Sequence, residues 1–208
     1  MGSSMRSHFI RVLAMTAALA CGGGLAQAAN SPPSVPAGAT APLAAHRALY
    51  TLKLAKGRDG DIVAAQGQMG YEVTDACDAW IVHQRLRMTV TNSDGQAIEM
   101  SSDYATWESK DGLRFRFHVR QMTDTAVTSQ TDGEAALKSP GGTGQAHFTS
   151  PRDDVKPLPA GTLFPMSHTA AVIAAAKAGK KFLSLPVFDG TDDNGVEDSS
   201  VVLLDWKA

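Results

Sequence analysis

Residues 113–122 read LRFRFHVRQM, and this stretch decides the fold class of the chain. Up to residue 119 every second residue is apolar, and the residues between them are basic. Side chains alternate between the two faces of a β-strand, so the pattern predicts a strand with one buried face and one wet face. The buried set is Leu113, Phe115, Phe117 and Val119, with Gln121 in the same register, and the wet set is Arg114, Arg116, His118 and Arg120.

The same period of two appears in WIVHQRLRMTVTN, residues 80–92. This segment places His83, Arg85 and Arg87 on one face, opposite a face that is mainly apolar. The pattern predicts a half-buried antiparallel strand with one wet side.

Turn signals and shorter apolar runs extend this strand pattern along the chain. Asp-Gly pairs at residues 94–95 and 111–112 predict hairpin turns. Shorter strands are predicted at residues 126–131, 134–138 and 145–148. Together they predict a mainly β fold, an antiparallel sheet that curls or closes on itself to hide its edges.

One segment, PMSHTAAVIAAAKAGKK, interrupts the strand pattern and predicts a short α-helix from Met166 to Ala178. Ser167 or Thr169 is placed to cap its start, and Gly179 is placed to end it. We expect Val172 and Ile173, among the alanines of the helix, to pack against the sheet.

The first 28 residues have the features of a secretory signal peptide. Arg6 and Arg11 precede an apolar core that is shorter than the ~20 residues of a bilayer span, and residues 26–28, Ala-Gln-Ala, fit signal peptidase. Lipidation at Cys21 is the alternative, but Ala18 stands where that signal requires a larger aliphatic residue. The chain is therefore predicted to reach the periplasm.

The remainder is predicted to comprise a flexible Pro- and Ala-rich tether at residues 29–44 and one β domain at residues 45–208. Residues 1–28 hold two of the 19 Lys and Arg residues and none of the 21 Asp and Glu residues, so their removal leaves 17 basic and 21 acidic residues. This weakly acidic balance offers no basic stripe and argues against nucleic acid as a partner.

The arginines of the two basic strand faces are the candidate binding residues. They could line a concave surface for an anionic ligand or partner, and a solvated sheet face that blunts edge pairing is the alternative interpretation. The candidates are Arg85, Arg87, Arg114, Arg116 and Arg120.

His168, at the predicted start of the helix, completes the candidate set. It could act as a general base, which would indicate a hydrolase centred on His168, or it could pack the helix entry. Asp103 and Glu108 have no partner signature and are interpreted as surface charges. The acidic stretch at residues 189–198 fails to match a calcium loop at both ends and is predicted to be a hairpin turn. No metal and no cofactor are predicted.

Cys77 and Cys21 are the only cysteines of the chain. Once the signal peptide is removed, Cys77 has no partner in this sequence. We expect it at the start of a core strand, either as half of a disulfide whose other cysteine is absent from this chain or as a small buried apolar residue.

Five segments, in order, resemble the cell envelope integrity EipB family of alphaproteobacterial periplasmic proteins over Leu43–Trp206. They are LAAHRALYTLKL, GQMGYEVTDACDAW, DYATWESKDGLRFRF, LPAGTLFPMSHTAAVIAAAKAG and PVFDGTDD. The resemblance implies a monomeric β-spiral, a curled open sheet, with a role in envelope integrity and no established catalytic activity. It also implies that Cys77 pairs with a cysteine near the family's C-terminus. We therefore expect residues 45–208 to be incomplete at the C-terminal end.

The function expected from the sequence is non-enzymatic support of the envelope by binding a ligand or a protein on the curled sheet. The expected partner is an envelope protein, a lipid or a peptidoglycan-associated molecule. A lipid or lipoprotein carrier with a concavity for acyl chains is the alternative. A continuous apolar cavity of a few hundred Å³ would favour the carrier.

Overall fold

The computed structural model describes residues 43–55 and 61–204 of the 208-residue chain. The predicted signal peptide, Cys21, almost all of the predicted tether and the last four residues lie outside the described residues.

One antiparallel sheet of eight strands dominates the described residues. The strands follow each other in sequence order, and the first strand does not pair with the eighth, so the sheet stays open. The predicted mainly β fold with an open sheet is confirmed. The strands are β1 (His46–Lys53), β2 (Ile62–Asp75), β3 (Ala79–Asn92), β4 (Ala97–Ser109), β5 (Arg114–Thr123), β6 (Ala126–Leu137), β7 (Gly144–Ser150) and β8 (Asp154–Leu158).

The alternating stretch at residues 113–122 forms β5 almost end to end. Phe115, Phe117 and Val119 are buried on one face of the sheet, and the four basic residues between and beyond them are exposed on the other. The face that holds these three buried residues is called the core face below.

The prediction of two short strands at residues 126–131 and 134–138 is wrong, because β6 runs through both segments without a break. Gly133, at the junction, lies in register with Phe117 of β5. A Cβ at this position would lie 2.7 Å from Cζ of Phe117, so glycine lets the Phe117 ring lie against the β6 backbone. β8 was not predicted. It contains Pro157, which an edge strand tolerates.

The core is built around five phenylalanine rings. The Phe115 and Phe164 rings stack with centroids 5.0 Å apart, and Phe188 meets Phe117 edge to face at 5.5 Å. Phe148 of β7 completes the cluster. A parallel bridge between Leu163 and Val187 holds the two segments that carry Phe164 and Phe188 side by side.

The helix α1 (Pro165–Lys177) begins and ends one residue before the predicted bounds. Gly179 has φ of +71° and donates its N–H to Ala176 O, while the N–H of Lys180 reaches Ala175 O. This is the Schellman arrangement, so the prediction that Gly179 ends the helix is confirmed.

The helix packs mainly on a second, two-stranded sheet formed by β9 (Phe182–Val187) and β10 (Glu197–Val202). Val172 and Ala175 contact the cluster around Leu183 and Leu185. Ile173 is only partly buried and belongs to none of the three buried clusters of the described residues, so its predicted packing on the large sheet is wrong. Met166, at the start of α1, contacts the core face of β2 and β3 instead.

Candidate functional site

The register of the large sheet brings all five candidate arginines to one face. Asp103 of β4 lies opposite both Arg85 of β3 and Arg120 of β5, and Trp107 of β4 lies opposite Arg116. Because residues in register share a face and side chains alternate along each strand, Arg87 and Arg114 lie on the same face as the other three. This surface is called the arginine face, and it is opposite the core face.

The arginines differ in how their charges are compensated. The Arg85 guanidinium lies 3.1 Å from the Asp103 carboxylate, and both side chains are exposed. Arg116 lies 5.3 Å from the centroid of the Trp107 ring, within cation–π distance. Arg87, Arg114 and Arg120 form no ion pair within 4.0 Å among the described residues. The face therefore carries cations that remain available to an anionic partner.

Two open grooves lie on the arginine face. The first, the β1–β4 groove, has a volume of about 530 Å³. It contains two basic side chains, Lys53 and Arg87, and two acidic ones, Glu99 and Asp124, so its formal charges balance. Its lining comprises Thr51, Leu52, Lys53, Gln66, Gly67, Gln68, Arg87, Met88, Thr89, Glu99, Met100, Ser101 and Asp124.

The second, the β5–β7 groove, has a volume of about 600 Å³ and extends to β8. Its side chains on the arginine face belong to two rows of residues that are paired from strand to strand across β5 to β8. One row begins at Arg114 and the other begins at Arg116. The lining comprises Arg114, Phe115, Arg116, Glu134, Ala135, Ala136, Gln145, His147 and Val155. Both grooves thus include candidate arginines that the alternation of the sequence singles out.

His168 does not join this surface. It lies in the first turn of α1, and its neighbour Met166 packs on the core face. The Nε2 atom of His168 is buried and has no hydrogen-bond partner in the described part of the chain, and burial lowers the pKa of the imidazole.

The residues around His168 give no support to a hydrolase. The two hydroxyls adjacent in sequence are those of Ser167 and Thr169. Ser167 donates its hydrogen bond to Glu108 at 2.6 Å and Thr169 donates to the Pro165 carbonyl at 2.9 Å, so neither is bonded to the imidazole. A nucleophile activated by a base would require that missing contact.

Glu108 is a structural residue that the sequence interpretation missed. Its side chain is 1% exposed, and its two carboxylate oxygens accept the N–H groups of Met166 and Ser167 at 2.7 and 2.8 Å. The helix has no side-chain cap of its own at Phe164, so the predicted capping by Ser167 or Thr169 is wrong and β4 supplies the cap. The interpretation of Glu108 as a surface charge is also wrong.

The alternation of side chains along β4 could have indicated from the sequence that Glu108 lies on the buried face. Glu108 follows Trp107 of the arginine face and lies in register with Phe115 of the core face. A carboxylate on a core face needs hydrogen-bond donors, and here the start of a helix provides them. Burial raises the pKa of Glu108, and the hydrogen bonds from Ser167 and Met166 offset part of that rise.

Cys77 lies in the tight turn between β2 and β3, with φ of +65°, and its thiol is exposed and free within the described residues. Its N–H donates to the Asp75 carboxylate at 3.0 Å, a local bond that holds the turn. The expectation that Cys77 begins a buried core strand is therefore wrong. Its pairing with a cysteine absent from this chain stays a prediction.

Comparison with known proteins decides the family. A model of the EipB-like family matches residues 37–208. The chain belongs to the EipB-like family. The resemblance seen in the sequence is thus confirmed.

Two similar proteins come from Brucella abortus. The cell envelope integrity protein EipB of strain 2308 is 29% identical to this EipB-like chain over 153 residues, 73% of this chain and 54% of the relative. This chain therefore spans about half the length of that relative. The crystal structure of a beta-barrel-like protein of domain of unknown function DUF1849 matches with a TM-score of 0.71 and 29% identity, covering 77% of this chain and 68% of the other.

Within residues 43–55 and 61–204, this EipB-like chain has no helix long and apolar enough to cross a bilayer. No cluster of three or more His, Cys, Asp or Glu side chains that could hold a metal ion occurs in the same residues.

Proposed function

We propose that this EipB-like chain supports the integrity of the cell envelope by binding an envelope partner through the arginine face. The observation that carries the proposal is that both grooves lie on the face to which the register brings all five candidate arginines. The name of the Brucella relative, a cell envelope integrity protein, supports the envelope role. A role as a binding protein needs no catalytic residues.

We also propose the periplasm as its compartment, with residues 1–28 as a cleaved signal peptide and residues 29–44 as a tether. The resemblance of residues 1–28 to a secretory signal and the envelope role of the relative support this location. The partner is then an envelope protein, a lipid or a peptidoglycan-associated molecule, and the chain acts as a monomer.

A carrier of acyl chains has less support from the grooves. An acyl chain needs a continuous apolar lining. The β1–β4 groove instead includes Lys53, Arg87 and Glu99, and the β5–β7 groove includes two arginines and Glu134.

A complementation experiment tests the proposed function. In the source bacterium, loss of the gene is expected to sensitise cells to detergent and to EDTA, and the wild-type gene is expected to restore resistance. A variant that reverses the three candidate arginines with no ion pair among the described residues, Arg87→Glu, Arg114→Glu and Arg120→Glu, is expected not to restore it. The control reverses two exposed lysines at the end of α1, Lys177 and Lys180, and is expected to restore resistance fully.

Immunoblots of the periplasmic fraction show whether all variants accumulate equally. Normal resistance in cells that lack the gene would overturn the envelope role. Full rescue by the arginine variant at wild-type abundance would overturn the arginine face as the working surface.

A further inference from the structure

The two grooves of the arginine face differ in charge. The β1–β4 groove balances its two basic side chains with Glu99 and Asp124. The lining of the β5–β7 groove has two arginines, Arg114 and Arg116, and one acidic side chain, Glu134. The Asp153 carboxylate lies outside this lining and contacts the Nε2 atom of His147 at 2.9 Å. Charge complementarity therefore directs an anionic partner to the β5–β7 groove.

The arginines of β5 are spaced for an extended partner. Arg114 and Arg116 are two residues apart on one strand, so their Cα atoms are about 7 Å apart, and Arg120 stands about 20 Å from Arg114. Alternate side chains of an extended polypeptide repeat at the same interval of about 7 Å. Carboxylates on alternate residues of such a segment can meet successive guanidinium groups, each through a pair of N–H donors.

The other side chains of the groove favour a polypeptide over a membrane surface. Val155, which is 50% exposed, ends the row that begins with Arg116, and it offers an apolar contact at the far side of the groove. Glu134 lies opposite Arg116 and repels a continuous layer of negative charge. A segment with discrete carboxylates and uncharged residues between them can avoid Glu134, whereas a plane of anionic headgroups cannot.

We propose that the β5–β7 groove binds an extended acidic segment of a partner polypeptide, with carboxylates held by Arg114 and Arg116. This inference rests on the proposed function, since it names the partner class of the arginine face. The Arg116 guanidinium also lies over the ring of Trp107, its cross-strand neighbour on β4, at 5.3 Å from the centroid. Arg120 lies further along β5 on the same face, where it can contact the carboxylates of a longer segment.

The test uses the purified chain and a fluorescent peptide of about ten residues in which Glu alternates with Thr. Fluorescence anisotropy is expected to show binding that weakens with salt. The same peptide with Gln in place of Glu is expected to bind at least about tenfold more weakly, because it lacks the charged acceptors. Equal binding of the two peptides would overturn the proposal.

Paired charge reversals locate the site. Arg114→Glu/Arg116→Glu is expected to reduce affinity for the acidic peptide at least about tenfold, whereas Arg85→Glu/Arg87→Glu, the same change of charge on β3, is expected to reduce it by less than about threefold. Circular dichroism and urea unfolding confirm that both variants fold. Equal losses in the two variants would overturn the assignment to the β5–β7 groove.

Vesicles containing phosphatidylglycerol separate a peptide site from a membrane site. Vesicle binding without peptide binding would overturn the acidic polypeptide and leave the proposed envelope function standing. Failure of the complementation experiment together with specific peptide binding would overturn the envelope role and leave the groove assignment standing.

Discussion

The carboxylate of Glu108 on β4 accepts hydrogen bonds from both the backbone N–H and the side-chain hydroxyl of Ser167 on α1, at 2.8 and 2.6 Å. A third hydrogen bond comes from the N–H of Met166. One buried side chain of the large sheet thus satisfies two of the free N–H groups at the start of the helix and holds the helix on the core face.

Replacing Glu108 by glutamine is expected to lower the free energy of unfolding by about 1–3 kcal/mol. The amide keeps one acceptor oxygen but directs an NH₂ group at the donors of α1, which leaves buried polar groups unpaired. Urea unfolding measures the change. Glu99→Gln, an exposed substitution on the same strand, is the control and is expected to change stability by less than about 0.5 kcal/mol. Equal effects of the two substitutions would contradict the buried cap.

The stability contribution of Glu108 is expected to depend on pH. Burial raises its pKa in the folded state above the ordinary value of 4.5, so the folded state holds this proton more tightly than the unfolded state. The contribution is therefore complete below pH 4.5 and is lost as pH rises through the higher folded-state pKa. The difference in unfolding free energy between wild type and Glu108→Gln should fall as pH rises from 4.5 toward neutrality. A difference that grows over this range would show that the hydrogen bonds from α1 outweigh burial.

Gly133→Ala is expected to lower the free energy of unfolding by about 1–3 kcal/mol, because the added methyl group would collide with the Phe117 ring and with the backbone of β7. Gly70→Ala in β2 is the control, since a Cβ there meets nothing within 4 Å. Thermal unfolding of the two variants compares the sites. Comparable melting temperatures would mean that both the Phe117 ring and the β7 backbone at His147 can shift without cost.

Cys77 is expected to react with a maleimide in the native state as fast as in urea, because its thiol is exposed in a turn. A Cys21→Ser background makes the labelling specific to Cys77. Protection of Cys77 in the native state would contradict the turn geometry. A longer form of the protein that carries another cysteine is expected to lose this labelling under oxidising conditions, which would support the proposed disulfide.

The strand faces could be predicted from the sequence alone. The alternation of β5 separates Phe115 and Phe117 from Arg114 and Arg116, and the structure buries the first pair and exposes the second. This succeeds because alternation is a property of the extended backbone and needs no knowledge of neighbouring strands. The end of the helix at Gly179 was predictable for a similar reason, since a positive φ favours glycine locally.

The roles of Glu108, Gly133 and Cys77 could not be assigned from local pattern. Glu108 meets Ser167 across 59 residues of sequence, and Gly133 is needed because the Phe117 ring of the neighbouring strand lies against it. Cys77 lies between two apolar strands, yet the turn that joins them turns its thiol toward solvent.

The sequence by itself determined which residues alternate into a buried and a wet face, and through its motifs it determined the family. Only the tertiary structure decided that the arginines of β3 and β5 share one face with two grooves, and that His168 stays on the other side of the sheet. Alternation sets the face of a residue within its own strand, whereas strand order and register set which residues meet across the sheet. Those depend on packing between segments far apart in the chain.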